Sequence, residues 1–530
     1  MAKTVNLNMT EGPLLGKIIR FSVPLMLSGM LQLLYNAADV IVVGRFAGSA
    51  ALAAVGSTGA LVNLLINLFM GVSVGCNVLV ARYYGAGDQK SVSETVHCAV
   101  GASVIIGVLA AIVGLVFSTP LLRLMGSPED VLPLASLYLR IYFCGMPFNI
   151  AYNFGAAVLR AVGDTKRPLY ILSLSGVVNV VLNLILVIVF HMGVAGVAIA
   201  TVASQVISAI LVIRALTLRE DCCHLNTKEI HIYKDKLIGM IKVGLPAGIQ
   251  GSLFSLSNVI IQSSVNSFGS VVVAGNSAAA NIEGFAYTAM NAVYQACITF
   301  VSQNLGAQKP KRILKVMGIC LVVVSVVGLT LGNLMYLFGE PLLSIYCSDS
   351  EGLQAEMIRV GLTRMSFLAV PYFLCGLMEI GCGGMRGLGW SWVPTTVSLL
   401  GACGVQMGTR FLSAYECNIH PNYKEKILKA TDLCTMVTGK RLGHPVRSLR
   451  TQFARNYAKE EYGGMPDDEL ESLATGALRL AVQEGDNEKG CFLSGQIAAM
   501  VKQEQHAADI VREVMEEAEP ILRRACQWVQ

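Results

Sequence analysis

Four polar residues share one face of an otherwise apolar segment near the start of the chain. Gln32, Tyr35, Asn36 and Asp39 are spaced i, i+3, i+4 and i+7, which places them on one side of an α-helix. A carboxylate inside a membrane span is energetically expensive, so by default it marks an ion or substrate path. Asp39 could load and release a proton, or hold Na⁺ together with nearby amide and hydroxyl oxygens.

Other apolar segments carry similar polar stripes, such as Ser175, Asn179 and Asn183 on the fifth one. The candidates for binding an ion or a substrate are Asp39, Tyr35, Asn36, Gln32, Asn179, Asn183, Glu283, Tyr287, Gln262 and Glu379. Two structural alternatives stay open. Amide and hydroxyl side chains can simply hydrogen-bond between helices, and Glu379 could form an ion pair with Arg386.

The composition indicates which elements must position these residues. Hydrophobic residues make up 54% of the 530-residue chain and charged residues only 14%, against roughly 25% charged in soluble proteins. Charges are sparse in residues 1–400 and ordinary in residues 401–530. The first block is too apolar to be soluble, disordered or a binder of nucleic acid. The sequence therefore predicts a membrane protein followed by a soluble tail.

The fifteen cysteines are scattered, apart from the adjacent pair Cys222 and Cys223. These two could bind a metal together with His224 and His231, but a second paired-ligand element of the kind found in structural metal sites is missing. The scattered cysteines instead suit reduced thiols that serve as small apolar side chains. We predict no metal site. The polar start of the chain also shows no signal-peptide core, so its first apolar segment should remain as a span.

A spanning helix needs about 20 largely apolar residues. Ten segments meet this requirement, and an eleventh begins near Trp390; the ten are 17–43, 50–80, 93–118, 133–159, 168–190, 194–217, 238–266, 271–300, 313–338 and 356–383. Lysine and arginine concentrate before the first segment and after every even-numbered one. The positive-inside rule then predicts a cytoplasmic N-terminus and cytoplasmic even-numbered connectors.

The chain also repeats itself. The run from Leu159 to Pro168 recurs as Met385 to Pro394, with Arg, Gly and Pro in matching places, and Pro24 matches Pro246. In the same way Arg140, Phe143 and Pro147 recur as Arg364, Phe367 and Pro371. We predict an all-α polytopic membrane protein with two pseudo-symmetric lobes of six spans and a truncated five. The predicted boundaries are 1–217 for the first lobe, 218–237 for a cytoplasmic linker and 238–400 for the second lobe. A site is expected near the midplane between the lobes.

Residues 1–400 resemble the multidrug and toxic compound extrusion (MATE) family of secondary antiporters. The resemblance is carried by FSVPLMLSGMLQLLYNAADVIVVGRFAG at 21–48, ARYYGAGD at 81–88, LRAVGDTKRP at 159–168 and MRGLGWSWVP at 385–394. It implies two six-helix lobes, alternating access, and export of cationic amphipathic compounds against inward H⁺ or Na⁺. It also makes Asp39 the coupling aspartate. Many relatives carry a second aspartate where this chain has Asn183.

Residues 401–530 resemble the C-terminal part of FMN-dependent enoyl-acyl-carrier-protein reductases and nitronate monooxygenases. The runs GACGVQMGTRFLSAYE and GHPVRSLR carry this resemblance. It implies a mostly helical piece of a (β/α)₈ barrel, in which a strand ends at the GVQMGT run and helps to hold the FMN phosphate through Gly404, Gln406, Gly408 and Thr409. A barrel needs about 250 residues, so FMN binding is not expected and these residues are a vestigial site.

The predicted function is secondary export of cationic amphipathic drugs or toxic compounds across the cytoplasmic membrane, in exchange for H⁺ or Na⁺. Loss of the last spans could impair it. The chain is predicted to be a monomer in the lipid bilayer, not an enzyme, and without a nucleic-acid partner. One alternative is a lipid-linked sugar flippase of the wider superfamily, which would favour basic cavity residues. Another is a membrane-tethered FMN-dependent reductase, which would bind FMN.

Overall fold

The computed structural model describes residues 7–46, 49–124, 131–266, 270–344, 351–369, 371–404, 408–431, 434–442, 445–510, 512–513 and 516. These residues form two compact units, Met1–Leu399 and Leu400–Gln530.

The first unit is helical throughout its described residues, apart from turns and connectors. Its longer helices are α1 (Leu14–Phe46), α2 (Ser49–Ala86), α3 (Gln89–Leu124), α4 (Leu132–Cys144), α5 (Met146–Ala161), α6 (Lys166–Leu184), α7 (Gly193–Thr217), α8 (Lys234–Asn266), α9 (Ser270–Gly306), α10 (Pro310–Leu337), α11 (Gly339–Ser344), α12 (Glu351–Leu368), α13 (Tyr372–Leu388) and α14 (Trp392–Gly404), the last of which begins in this unit. A π-helical stretch (Ile185–Val189) extends α6, and a short 3₁₀ helix (Thr227–Glu229) lies before α8.

Within the described residues, seven of these helices are long and apolar enough to cross a membrane, and the bent pair α12–α13 makes an eighth candidate. Helices suit a bilayer because all their backbone groups bond within the segment. The prediction of a helical, multi-span membrane protein is confirmed. The division into six spans and a truncated five stays a prediction.

The fourth and tenth predicted spans are each broken into two helices. The first break lies at Gly145, where an added side chain would collide with Gln205, and Pro147 follows in the first turn of α5. In the second, Pro371 caps α13, and the two helices meet at 50°. Proline removes a backbone donor and clashes with the preceding helical turn. Pro147 and Pro371, which occupy matching places in the sequence repeat, therefore each lie at a break between two helices.

Helices α3 to α7 pack mainly on helices of the first half, and α9, α10, α12 and α13 pack on one another in the second half, whereas α8 packs mainly against α2. The two halves meet where α1 contacts α9 and where α2 contacts α8 and α9. Glycines allow the close approach of α2 and α8: an added side chain at Gly71 would strike the Gly248 backbone, and one at Gly75 would strike the Met240 carbonyl. Small residues are the usual means by which membrane helices approach closely.

The second unit is small and mixed. Its described helices are α15 (Gly408–Leu412), α16 (Pro421–Leu428), α17 (Gln452–Gly463), α18 (Asp467–Ala474) and α19 (Ala477–Arg479). Two antiparallel strands, β1 (Thr435–Thr438) and β2 (Val446–Leu449), pair with Thr435 opposite Leu449. Its core is built around Tyr423, Ile427 and Phe492.

The strand that was expected to end at the GVQMGT run is not observed. Gly404 ends helix α14 and Gly408 begins helix α15, while residues 405–407 lie outside the described part. A barrel strand needs parallel neighbours to bond its backbone groups, and the strands described in this unit form only the β1–β2 hairpin. The apolar run after Trp392 instead satisfies its backbone internally as a helix. The expectation of a barrel strand was wrong for these residues.

Candidate functional site

The candidate ion site lies where α1, α6 and α7 meet. Asn183 on α6 donates a short hydrogen bond from Nδ2 to the Asp39 carboxylate on α1 and a second one, 3.2 Å long, to Asn179 Oδ1. Asn179 in turn donates to Thr201 Oγ1 on α7 over 3.5 Å. The structure thus brings together three of the predicted residues, Asp39, Asn179 and Asn183, in one chain of hydrogen bonds.

One acceptor in this cluster has no donor. Asn183 is 1% exposed, and its Oδ1 atom accepts no hydrogen bond within the described part of the chain. A buried polar atom without a partner needs an explanation, such as an ion or a water molecule. The cluster offers a carboxylate, two amide oxygens and a hydroxyl. These are hard oxygen ligands of the kind that small cations prefer, and a carboxylate and a hydroxyl can also pass a proton.

Thr201 belongs to this cluster, but it was not among the predicted residues. Its hydroxyl bonds back to the Val197 carbonyl, 2.9 Å away, and therefore faces the same side of α7 as Val197. The signal that could have found it is its place in an otherwise small and apolar helix, in which Thr201 and Gln205 are spaced i, i+4.

The other residues of the α1 stripe have different environments. The Tyr35 hydroxyl donates to the Ser173 carbonyl on α6 over 3.2 Å, and its ring lies so close to Gly176 that any side chain there would collide with it. Gln32 and Asn36 are exposed. Tyr35 and Asp39 therefore pack on α6, whereas the side chains of Gln32 and Asn36 are exposed.

In the second half, Glu283 on α9 is held by Arg364 on α12. Arg364 Nε and Nη2 donate to the two carboxylate oxygens over 3.0 and 2.7 Å, and Nη1 donates to Asn276 Oδ1 over 2.6 Å. The Glu283 side chain is 7% exposed. A two-point guanidinium–carboxylate pair of this kind is strong and geometrically specific. The sequence identified Arg364 only as a repeat marker, so this pairing was missed.

Glu379 on α13 is half-buried and lies within electrostatic range of Arg386, two turns later. Arg386 itself donates to the Tyr294 hydroxyl and, over 2.6 Å, to Gln250 Oε1. Among the described residues, no ion pair of 4.0 Å or less joins Glu379 to Arg386. Glu379 also lies within electrostatic range of Tyr287 and Tyr294 on α9.

Ser255, Asn258 and Gln262 are spaced i, i+3 and i+7 along α8, and the structure describes the first two of these side chains. Ser255 accepts a 2.9 Å hydrogen bond from Asn67 on α2, which links the two halves, and Asn258 is exposed. The side chain of Gln262, also predicted for this site, lies outside the described residues.

The vestigial phosphate-binding residues of the second unit are separated by structure. Gly404 closes α14, Gln406 lies outside the described residues, and Gly408 and Thr409 begin α15. Thr409 is buried, and its hydroxyl accepts a 2.8 Å hydrogen bond from the Gly495 backbone N–H. The Thr409 hydroxyl therefore already has a hydrogen-bond partner within the chain. Groups of three or more metal-binding side chains are likewise not found in the described residues.

Family models match both parts of the chain. The model for MatE matches residues 24–185 and 246–412, and the model for nitronate monooxygenase matches residues 393–517. The two matches overlap over residues 393–412, at the start of α14 and beyond it. The predicted resemblance of the tail is confirmed as a similarity.

Similar proteins point to the same family. The chain is 30% identical over 403 residues to the probable multidrug resistance protein YoeA of Bacillus subtilis, and the matched region covers 74% of this chain and 86% of YoeA. It is 27% identical to the probable multidrug resistance protein YpnP of the same organism, over 72% of this chain and 84% of that one. It is 21% identical to the multidrug export protein MepA of Staphylococcus aureus (strain MW2), over 70% and 82% of the two chains.

Solved structures share the fold. A multidrug resistance MATE family transporter of the MOP superfamily in an outward-facing conformation superposes with a TM-score of 0.71 at 22% identity, covering 78% of this chain and 91% of that one. A MOP superfamily transporter from Pyrococcus furiosus gives the same TM-score at 23% identity, over the same shares of the two chains. The matched residues, the identity to YoeA and this shared fold establish that the chain belongs to the MatE family of multidrug and toxic compound extrusion transporters.

Proposed function

We propose that this protein exports cationic amphipathic compounds from the cell in exchange for H⁺ or Na⁺, by alternating access between its two halves. The names of its relatives YoeA, a probable multidrug resistance protein, and MepA, a multidrug export protein, support drugs as substrates. The observation that carries the exchange mechanism is the Asp39 cluster, in which a carboxylate lies beside the unpartnered Oδ1 of Asn183.

Asp39 is the residue that binds the coupling ion in this proposal. A bound proton or Na⁺ neutralises its charge, and the hydrogen bond from Asn183 then loses its charge-assisted strength. Asn179 and Thr201 complete the set of oxygen atoms around a cation. Because α1 also contacts α9 of the second half, a change at Asp39 reaches the surface between the halves.

Glu379, with Tyr287 and Tyr294 nearby, is the proposed contact for the cationic substrate in the second half. Aromatic faces and a carboxylate together attract organic cations. Glu283 is paired with Arg364 and serves to hold α9 against α12. Gln32, Asn36 and Gln262 complete the proposed set of polar residues along the path.

The proposed orientation follows the distribution of basic residues. The N-terminus, the 218–237 linker and the 401–530 tail are placed in the cytoplasm, and the protein is placed in the cytoplasmic membrane as a monomer. The two lobes are assigned six spans (1–217) and a truncated five (238–400). The tail is assigned no catalytic role and no FMN, because its described residues supply only a two-stranded sheet and a barrel needs about 250 residues.

The decisive experiment reconstitutes the purified chain in proteoliposomes loaded with ethidium. A proton gradient and a sodium gradient are imposed separately, and efflux is followed by fluorescence. Efflux driven by one gradient and abolished by Asp39→Asn supports the proposal and identifies the ion. Efflux of equal rate with no gradient of either ion would contradict coupled exchange.

Two alternatives have measurable consequences. A lipid-linked sugar flippase would move lipid-linked sugars in the same proteoliposomes and would ignore ethidium. A membrane-tethered reductase would carry FMN, and the purified protein would then show the visible absorbance of a flavin.

A further inference from the structure

Two segments outside the spans cross from one half to the other on the same face of the first unit. The first, residues 8–12, precedes α1 and is here called strap one. The second, residues 226–236, leads into α8 and includes its first residues; it is called strap two. Strap one precedes the first helix of the first half but contacts the second half. Strap two leads into the first helix of the second half but contacts the first half.

Strap one is held through its backbone carbonyls. Arg312 at the start of α10 donates to the carbonyls of Met9, Glu11 and Gly12, over 3.2, 2.7 and 2.9 Å. Asn304 at the end of α9 also donates to the Met9 carbonyl, over 3.2 Å. Lys309, between these two, donates to the Thr10 carbonyl over 3.0 Å. The second half therefore binds the backbone of strap one, and these contacts do not depend on which side chains the strap carries.

The other side of strap one is fixed to the first half. Lys17 on α1 donates to the carbonyls of Asn8 and Glu11, over 2.6 and 2.7 Å. Leu7, just before the strap, packs against Gly163 in the α5–α6 connector, where an added Cβ would lie 2.8 Å from the Leu7 Cβ. Met9 is fully buried. Strap one is therefore anchored in both halves.

Strap two contacts α2 and α3 of the first half. Lys236 donates to Ser91 over 3.0 Å, lies 3.6 Å from the Glu94 carboxylate, and covers the ring of Tyr83 at 4.4 Å. The Asn226 backbone N–H donates to His97 Nε2 over 3.0 Å. Ile230 and Ile232 fill the space beside Gly101, so the contact has an apolar part as well.

The straps lie on the face at which the helices themselves join the halves. An added side chain at Gly85, at the end of α2, would strike the Gln303 carbonyl at the end of α9, and one at Gly306 would strike the Arg82 carbonyl. Gln303 also donates to the Ala161 carbonyl over 2.7 Å. α1 and α8 both begin at this face.

We infer that strap one and strap two are reciprocal clasps which keep the two halves closed at this face, with Arg312 and Lys236 as the residues on which their release depends. The inference rests on the proposed alternating-access cycle, because only a chain that changes access must open this face. When the halves separate here, the contacts of Arg312 to strap one and those of Lys236 to α3 must break together. The segments before α1 and α8 therefore act as gate elements, in addition to connecting the helices.

The test measures opening of this face and does not require transport. Thr299 on α9 is 1% exposed and donates to Asn77 Oδ1 on α2 over 3.1 Å, so it lies between the halves. Thr299→Cys is introduced into the full chain after its native cysteines are replaced, and its reaction with a small maleimide is timed in detergent. Arg312→Ala and Lys236→Met should each raise the labelling rate about tenfold, which corresponds to roughly 1.4 kcal/mol in the balance between closed and open states.

Two controls separate gating from unfolding. Lys315→Ala removes a cation from α10 that makes none of the strap contacts, and it should leave the rate unchanged. Ser103→Cys, fully buried inside the first half, should remain unlabelled in every variant. Equal rates in Arg312→Ala and Lys315→Ala would overturn the inference, as would a parallel rise in labelling at position 103. If instead the proposed exchange at Asp39 is wrong, the ethidium efflux assay gives the negative result. The labelling rates of Arg312→Ala and Lys236→Met still exceed that of Lys315→Ala in this case.

Discussion

Glu283 and Arg364 form a two-point ion pair inside the second half, with nitrogen–oxygen distances of 3.0 and 2.7 Å. Asp39 in the first half has a different kind of partner: the neutral amide of Asn183. The two repeated halves therefore treat their carboxylates differently. Glu283 has its counter-charge built into the protein, whereas the Asp39 carboxylate bonds to an uncharged amide.

Asp39→Asn should abolish exchange of drug against ion while leaving expression and the melting temperature close to those of the parent. The change keeps the shape of the side chain and removes the charge that a proton or Na⁺ would neutralise. Ethidium efflux from proteoliposomes measures the effect. Asp88→Asn is the matched control, because Asp88 lies at the start of α3 outside the spans and accepts a hydrogen bond from the Ser91 N–H. Undiminished efflux in the Asp39 variant would refute the assignment.

Glu283→Gln should lower stability, because it leaves the Arg364 guanidinium without its counter-charge. Removing one partner of a buried ion pair typically costs 3–5 kcal/mol. Arg364 is 26% exposed, so a loss of roughly 3 kcal/mol or less is expected here. The double variant Glu283→Gln, Arg364→Met should recover part of the loss. Thermal melting in detergent tests both, and a double variant no more stable than the single one would contradict the pairing argument.

The second unit should lose stability in alkali through Tyr423. Its hydroxyl is buried and donates to the Leu493 carbonyl over 2.8 Å, and burial raises the pKa of Tyr423 above its usual value of about 10. The folded state therefore favours the protonated form. Its contribution is complete below the unfolded pKa and declines as the pH rises above about 10.

Pulse proteolysis of the full chain between pH 8 and pH 11, read from tail peptides, measures this decline. Tyr423→Phe should make the tail less dependent on pH, whereas Tyr462→Phe, at a 74% exposed position, should not. An identical pH profile in the parent and in Tyr423→Phe would show that another group controls alkaline unfolding.

The purified chain should lack the visible absorbance of a flavin, even after incubation with FMN. The Thr409 hydroxyl is already bonded to the Gly495 N–H, and the strand that would present the GVQMGT run is replaced by the end of α14. An absorbance spectrum after gel filtration tests this directly. A flavin band that remains with the protein, and is lost on Thr409→Ala, would show that the site works after all.

Restoring two apolar spans after Pro394, in place of residues 401–530, should raise both the melting temperature and the rate of efflux. In the present chain Asn258 is exposed on α8, and Val393 and Val397 on α14 are 46% and 58% exposed. A polar group that faces lipid without a partner is costly. The same chain with the tail deleted and nothing added is the control. No gain over that control would mean that the second half is already stable without further spans.

The sequence predicted the helices of the first unit well because their signal is long and repeated. Twenty or more apolar residues leave a membrane segment few alternatives to a helix. The breaks at Gly145 and Pro371 were harder to place, because hydropathy continues across them. The helix-breaking residues were visible, but whether a proline kinks a helix or divides it depends on its neighbours.

The candidate site was predicted in part. Helical spacing and polarity predicted Asp39, Asn179 and Asn183. These residues lie on faces of α1 and α6 that contact each other in the structure. The partner of Glu283 was missed because Arg364 lies on a distant segment, and a single sequence carries no record of which helices touch. The tail was predicted least well: its resemblance described a barrel strand, but a strand depends on neighbouring strands, and those described in the second unit form only the β1–β2 hairpin.

The glycines between α2 and α8 have a mechanical consequence. At Gly71, Gly75, Gly244 and Gly248 the contact is made largely by backbone atoms, so few side-chain rotamers must change when one helix turns against the other. Close packing keeps the two helices together. A small rotation of one helix against the other requires little rearrangement of side chains. In the proposed alternating-access cycle the two halves tilt about this line, and the contacts of strap one and strap two determine when they do.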